Sequence, residues 1–305
     1  MKEFYPEGIR ANKGIYTQSV LEQALLSGEI LEATVLQCDA EHNLTVELGC
    51  MKGIIKREEG AVGIKEGEVR DIALITRVGK SVCFVVTGFE YDEGGNKIAV
   101  LSRRKAQERY KEYIRENLSI GDIIDAKVTH FESFGAFCDI GCGVVALLPI
   151  DCISVSRIFH PKDRFYINQV IRAVIKNISE DLKITLSHRE LLGSWEENAA
   201  LFQPHLTVSG VVRSVEDYGI FVELTPNLAG LAEYFEGAQV GDTVSVYIKS
   251  IIPEKMKVKL IIIDLCEEEY TPKVNYFYGD EHIDRFEYSP AVCSRKIVTD
   301  FTEGA

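Results

Sequence analysis

The chain has 305 residues, 46% hydrophobic and 27% charged, so it is long enough for two or three domains with substantial cores. Its formal net charge of −13 argues against binding nucleic acid through a broad basic surface. No apolar run approaches the ~20 residues of a membrane span, and the opening segment MKEFYPEGIR lacks the pattern of a secretory signal. We therefore expect a cytoplasmic protein with no membrane partner.

The N-terminal extension, 1–27, is expected to end in a short helix. Ser19 and Glu22 have the spacing of a capping box, the apolar residues Val20, Leu21 and Leu25 follow Ser19, and Gly28 is placed to end the helix. The first of three repeated units then covers 28–102. Its segments ILEATVLQ, NLTVEL, SVCFVV and KIAVLS alternate or are rich in β-branched residues, which predicts strands.

A helical connector is predicted after each of the first two units, over 103–118 and over 188–204. In the first connector, apolar residues recur at every fourth position; in the second, Ser187 and Glu190 have the spacing of a capping box. Both apolar stripes are expected to pack on the neighbouring units rather than to bind ligands.

The second unit, 119–187, and the third unit, 205–265, contain copies of one motif. It reads ESFGAFCDIG in the second unit and EDYGIFVEL in the third. Aligning Phe134 with Tyr218 gives an offset of 218 − 134 = 84, and the residues before the motif keep the same offset. A weaker copy, HNLTVELG, lies in the first unit. Repetition at this length indicates small domains in tandem.

Both strong copies place two aromatic residues three positions apart around a glycine: Phe134 and Phe137, and Tyr218 and Phe221. Rings held near the rim of a small barrel can stack on unpaired bases, which is how single-strand binders hold nucleic acid. The alternative for Phe137 and Phe221 is inward packing, because they alternate with small or apolar residues. In the weak copy the two positions are His42 and Thr45, which offer no such stacking surface.

From Gly121 onward, GDIIDAKVTHFESFGAFCDIG and the later segments VVALLPI, QVIRAVIKNI and LKITLS resemble the S1 RNA-binding domain, a five-stranded OB-fold module. The resemblance covers all three units and is weakest in the first. Their order resembles a short bacterial 30S ribosomal protein S1 homologue with three repeats. The implied fold is mostly β: three tandem OB-fold five-stranded barrels joined by α-helical connectors, with a short β C-terminal extension.

The resemblance also implies which residues contact RNA. The paired aromatics occupy the stacking positions. The basic residue that opens the last strand and contacts phosphate corresponds to Lys97, Lys183 and Lys257. The family's histidine in the third strand is replaced by Lys56, Pro149 and Glu233. The weaker candidates come from the degenerate first unit and from the basic start of the first connector: His42, Lys56, Lys97, Arg103 and Arg104.

The sequence lacks the signatures of catalysis and of cofactor binding. It has no GxxxxGK phosphate loop, no GxSxG elbow and no HExxH helix, so we expect no catalytic residues, no cofactor and no small-molecule substrate. Its eight cysteines include no CxxC pair and match no common zinc spacing. Reduced, buried cysteines are therefore expected instead of a metal site.

The C-terminal extension, 266–305, is acidic and rich in aromatic residues. The segments VNYFY and IDRFEY predict a hairpin, followed by a strand in CSRKIVTDF. We expect the extension to pack on the third barrel and to lengthen its sheet. The alternative is an acidic segment that covers an RNA-binding face or docks a ribosomal protein.

These observations predict a non-catalytic protein that binds single-stranded RNA and holds mRNA at the small ribosomal subunit, with 30S subunit proteins as further partners. Linked modules of weak individual affinity would together bind tightly. A competing class is a protein-interaction scaffold of degenerate OB barrels, which the net acidity favours. A third reading is an accessory RNA-binding factor in RNA decay or transcription.

Overall fold

Three closed five-stranded barrels dominate the computed structural model, which describes residues 4–10, 15–268 and 270–302. The first barrel has the strand order β1-β2-β3-β5-β4, and its last strand runs parallel to its third. Its strands are β1 (Ile30–Cys38), β2 (Leu44–Glu47), β3 (Lys52–Ile55), β4 (Ser81–Tyr91) and β5 (Lys97–Ser102).

The second and third barrels repeat this order, so the predicted fold class is confirmed. The strands of the second barrel are β6 (Ile123–Glu132), β7 (Gly135–Gly141), β8 (Val144–Pro149), β9 (Val170–Ile178) and β10 (Ile184–Ser187). Those of the third are β11 (Thr207–Glu216), β12 (Gly219–Thr225), β13 (Leu228–Ala232), β14 (Thr243–Ile252) and β15 (Lys257–Leu265).

Alternation along the strands determines which side chains fill each barrel. On β15, Val258, Leu260 and Ile262 are buried in the core, whereas the residues between them face outward. Successive side chains of a strand point to opposite faces, so a register slip of one residue would expose this core. The same alternation later decides where the aromatic residues of the motif point.

The α-helices of the described residues are α1 (Gln18–Ser27), α2 (Ile72–Ile75), α3 (Arg103–Asn117) and α4 (Trp195–Ala199). The predicted capping box of α1 is wrong: Thr17 is extended and its hydroxyl accepts a hydrogen bond from the N–H of Val20. Gly28 ends α1 as predicted, in the left-handed conformation that glycine tolerates.

The second connector is less helical than predicted. Gly193, at a φ of +84°, separates a short 3₁₀ turn from α4. The capping box that starts α4 joins Ser194 and Glu197, each bonded to the other's backbone N–H. Ser187 and Glu190 instead hydrogen-bond to one another through their side chains. Trp195 and Ala199 pack in the core of the third barrel, as the apolar stripe predicts.

The chain divides into two compact units. The described residues of 1–118, together with 125–127 and 138–146, form the first; 119–124, 128–137 and 147–305 form the second. In the first unit, Arg103 at the start of α3 donates to both carboxylate oxygens of Glu7, at 2.6 and 2.9 Å. This buried pair ties the N-terminal segment to α3.

The C-terminal extension packs on the third barrel as expected, with Tyr288 in the barrel's core, but it does not lengthen the sheet of that barrel, so this part of the expectation is wrong. The predicted hairpin is also absent from its first half, and β16 (Arg285–Glu287) pairs with β17 (Val298–Asp300) as a separate two-stranded sheet.

The extension contacts both barrels of the second unit. Arg172 on β9 donates to the carbonyl oxygens of Tyr278 and Asp280, at 2.8 and 2.7 Å. The backbone of the extension also pairs with the chain at the start of β6, where the N–H of Ile123 donates to the carbonyl oxygen of Glu281 and the N–H of Ile283 donates to that of Gly121, at 2.8 and 2.9 Å.

Candidate nucleic-acid interface

The two strong copies of the motif form aromatic pairs with the same geometry. The ring centroids of Phe134 and Phe137 are 6.1 Å apart with their planes at 90°, and those of Tyr218 and Phe221 are 6.1 Å apart at 87°. Phe134 is 54% exposed and Tyr218 is 70% exposed. Each repeat therefore holds one open ring against the edge of a half-buried ring.

The glycine between the aromatics allows the strands to approach closely. A Cβ atom at Gly135 would lie 2.5 Å from the carbonyl oxygen of Leu148, and one at Gly219 would lie 2.4 Å from that of Ala232. Gly219 also has a φ of +145°, which disfavours other residues. The glycine thus allows β7 or β12 to start directly after the exposed ring, in close contact with the neighbouring strand.

Phe137 and Phe221 point outward rather than into the cores. Ala136 and Cys138 on either side of Phe137 are fully buried, and so are Ile220 and Val222 around Phe221. Because neighbours on a strand face opposite sides, the aromatic rings lie on the outer faces of β7 and β12. The inward alternative is not what the structure shows.

His130 adds a third ring to the surface of the second repeat. Its imidazole lies nearly parallel to the ring of Phe137, with centroids 6.3 Å apart and planes at 18°, and its Nε2 is 2.8 Å from Glu132 Oε1. Sequence reasoning missed this residue. His130 is two positions after buried Val128, so strict alternation would place it on the inner face, and the sequence pattern carries no signal for its exposure.

In the third repeat, the register of the strands places a different lysine opposite the aromatics. Phe221 on β12 pairs with Leu231 on β13, and Leu231 pairs with Lys259 on β15. Lys259 therefore shares a row with Phe221. The predicted Lys257 is exposed two residues earlier on the same strand face, roughly 7 Å away. Sequence reasoning could not choose between them because the choice depends on the register of the parallel pair.

Lys183 is the predicted phosphate contact of the second repeat. Its side chain is 84% exposed and lies 3.8 Å from the equally exposed carboxylate of Asp181, just before β10 begins. Ion pairs at such exposed positions contribute little, so Lys183 is free to reorient toward a ligand.

The corresponding residues of the first repeat are engaged with neighbours. His42 has a φ of +64° and contacts Asp71 at 4.0 Å. Lys97 lies 3.1 Å from Glu22, and Lys56 lies 3.7 Å from Glu90. Thr45 is half-buried on β2, opposite Ile54 of β3. This face therefore has neither stacking rings nor unpaired lysines at the predicted positions.

The two arginines at the start of α3 are occupied as well. Arg103 is 3% exposed and bonds to Glu7, so it is out of reach of a phosphate in solution and we omit it from the proposed site. Arg104 lies 2.7 Å from both Glu59 and Glu108. The basic character of this segment in sequence is therefore largely neutralised in the fold.

His188, at the end of the second repeat, is a buried histidine with two partners. One ring nitrogen lies 3.0 Å from the carbonyl oxygen of Ile153 and the other 3.2 Å from the hydroxyl of Tyr276. Burial lowers the pKa of His188 to about 4. The ring is therefore neutral near pH 7, with Nδ1 donating to Ile153 and Nε2 accepting from Tyr276.

Within the described ranges, no group of three or more His, Cys, Asp or Glu side chains is placed to hold a metal ion. The eight cysteines are free thiols, most of them buried. None of the helices in the described part of the chain is long and apolar enough to cross a membrane.

The barrel topology and the exposed aromatic pairs together define the class of the protein: OB-type barrels with a surface suited to single-stranded nucleic acid. Residues 117–189 match the family model of the S1 RNA-binding domain. The small ribosomal subunit protein bS1 of Staphylococcus aureus (strain COL) is 30% identical over 261 residues, covering 80% of this chain and 64% of the relative. The second repeat is therefore similar to the S1 RNA-binding domain, and the chain is similar to bS1 proteins over most of its length.

The match spans less than two thirds of the length of the S. aureus protein. The bS1 protein of Chlamydia muridarum (strain MoPn / Nigg) is 29% identical over 202 residues, covering 62% of this chain and 35% of the relative. Among solved structures, a multidomain protein with nucleic acid binding domains from Streptococcus pneumoniae is 12% identical, with a TM-score of 0.25, covering 79% of this chain and 75% of that one.

Proposed function

We propose that this protein binds single-stranded RNA without catalysis and holds mRNA at the small ribosomal subunit in the cytoplasm. The observation that carries the proposal is the aromatic pair that occurs twice with the same geometry, in the second and third repeats. The match of residues 117–189 to the S1 RNA-binding domain and the similarity to bS1 proteins support it.

In this mechanism, stacking supplies most of the binding energy. A base lies on the exposed ring of Phe134 or Tyr218, and the half-buried Phe137 or Phe221 holds that ring in place. Asp217, which is exposed beside Tyr218, repels phosphate, so attraction by charge at this turn is weak. Lys183, Lys257 and Lys259 supply the remaining phosphate contacts.

The two aromatic repeats act together because both lie in the second compact unit. Binding of a strand to one repeat raises the local concentration of the same strand at the other. Two weak modules then give a tighter complex than either alone.

The test is a titration of the full chain with an unstructured oligouridylate at salt concentrations from 50 to 200 mM. With roughly two to four phosphates neutralised, at ~0.7 per contact for a single strand, log K falls shallowly with log salt. Absence of binding at the lowest salt concentration would contradict the proposal. A much steeper slope would indicate a basic groove in place of stacking.

A protein-interaction scaffold is the second candidate, because the second half of the outer face of β15 carries exposed apolar side chains. Ile261, Ile263 and Leu265 on β15 are 37%, 55% and 39% exposed. Such a row is typical of surfaces that meet another protein. The scaffold predicts no RNA binding in the same titration, so one experiment separates the two functions.

A further inference from the structure

A cleft of about 420 Å³ opens beside the third barrel, within the second unit. Its walls come from the loop around Arg164, from Arg213 on β11, from the turn before β14 and from residues 270–272. Lys162 and the exposed ring of Tyr166 also line it. Basic and aromatic side chains around one cavity are what a phosphate and its attached base require.

Two guanidinium groups meet one carboxylate in this wall. Glu223 Oε2 accepts from Arg164 Nη2 at 2.7 Å and from Arg213 Nε at 2.5 Å. Arg164 is 8% exposed, Arg213 is 9% exposed, and Glu223 is fully buried. Among the described residues, Arg164 Nη1 and Glu223 Oε1 are buried without a hydrogen-bond partner, and the hydrogen bond of Arg213 to Glu223 is made by Nε. The two Nη groups of Arg213 thus keep unused donors in the wall of the cleft.

The charges of this cluster do not balance. Two positive groups on one carboxylate leave an excess positive charge about nine-tenths buried, in a chain whose net charge is −13. Asp163 lies next to Arg164, but its Oδ2 accepts from the backbone N–H groups of Phe159 and His160. A buried charge without a partner is costly, and a bound anion would remove that cost.

The cluster lies next to the stacking surface of the third repeat. Val212 pairs with Val222 and Ser214 with Phe221, so Arg213 is the extra residue of a β-bulge. Glu223, which holds the guanidinium of Arg213, is two residues beyond Phe221 on the same face of β12, about 7 Å along the strand. An RNA strand whose base stacks on Tyr218, next to Phe221, can therefore bring its next phosphate to Arg213.

We propose that Arg213 and Arg164 form a phosphate-binding site for the nucleotide adjacent to the base stacked on Tyr218. The site rests on the proposed RNA-binding function and adds to it a specific phosphate contact. Arg213 donates through its two free Nη groups, and Arg164 holds Glu223 so that the Arg213 fork faces the cleft. A bidentate guanidinium contact to phosphate is among the strongest hydrogen-bond pairings in proteins.

The test compares the parent chain with Arg213→Gln in oligouridylate titrations at several salt concentrations. The substitution leaves Arg164 and Glu223 as a one-to-one pair, so the variant is expected to fold. We expect affinity to fall about tenfold and the salt slope to become shallower by ~0.7. Arg295→Gln, which removes one exposed positive charge elsewhere, is the matched control and should change affinity less than twofold. Equal affinity and equal slope for Arg213→Gln and the parent overturn the site.

A second measurement uses inorganic phosphate and uridine monophosphate as probes of thermal stability. If either raises the Tm of the parent but not of Arg213→Gln while the parent binds no oligonucleotide, the phosphate site stands and the proposed RNA function fails. If the parent binds the oligonucleotide and Arg213→Gln binds it equally, the site alone fails. Tighter binding of the mononucleotide than of the oligonucleotide contradicts the RNA assignment.

Should Arg213→Gln not fold, Arg213→Lys keeps a positive charge beside Glu223 and removes the planar fork. A loss of oligonucleotide affinity in this folded variant supports the bidentate contact. Retention of the parent's affinity overturns it.

Discussion

The first and third barrels share one strand order but differ on the outer face that carries the repeated motif. Both have a bulge on their first strand, where Leu36 stands in one and Arg213 in the other. The positions of Tyr218 and Phe221 are held by His42 and Thr45 in the first barrel. The inward residues are aliphatic in both. The fold thus depends on the inward alternation, while the outer face is free to gain or lose a binding surface.

The largest effect that tests this comparison comes from removing the open rings. Replacing both Phe134 and Tyr218 by Ala should weaken binding of the oligouridylate at least about tenfold, since each stacked base contributes ~1–3 kcal/mol. Fluorescence anisotropy measures the affinity. The far-ultraviolet spectrum should be unchanged, because both side chains are more than half exposed. If the folded double variant binds the oligouridylate with the affinity of the parent, the stacking mechanism is wrong.

Acid is expected to destabilise the second unit, because the second unit contains the buried side chain of His188. The unfolded chain takes up a proton at this group near pH 6.5, whereas the folded chain does so only near its pKa of about 4. Its contribution is therefore fully present above pH 6.5 and is lost as the pH falls toward 4, by about 3 kcal/mol at ~1.4 kcal/mol per pH unit.

Denaturant unfolding at pH 7 and at pH 4.5, followed through the single tryptophan, measures this loss. Trp195 lies in the core of the third barrel and so reports on the second unit. The variant His188→Asn lacks the titrating ring and should show a flatter pH dependence. An identical pH dependence in parent and variant would rule out His188 as the cause.

The smallest effect on RNA affinity is expected from substitutions in the first barrel. Replacing His42 and Thr45 by Ala should change RNA affinity less than twofold, because these side chains offer no stacking surface and His42 is turned toward Asp71. The double aromatic variant is the natural comparison in the same assay. A loss as large as that of the aromatic variant would show that the first barrel also binds RNA and that the contrast between the barrels is false.

The barrels and the aromatic pairs could be predicted from the sequence because local residue patterns indicate both. Alternation and β-branched runs specify strands, and the spacing of the motif around its glycine places two rings on one rim. The repeat boundaries, which we keep as a proposal, follow from the same offset. The capping residues of α1 and α4 were assigned to the wrong positions, since several Ser, Thr and Glu residues near each helix start satisfy the same spacing.

Only the tertiary structure determines the contacts between distant parts of the chain. Arg103 reaches Glu7 across 96 residues and becomes a buried ion pair instead of a phosphate contact. Arg172 meets Tyr278 across 106 residues, which directs the C-terminal extension over two barrels. Arg164 joins Arg213 on Glu223 across 59 residues. Sequence periodicity reports which side of its own strand a residue faces, whereas the partner of a buried charge depends on how loops and barrels close around it.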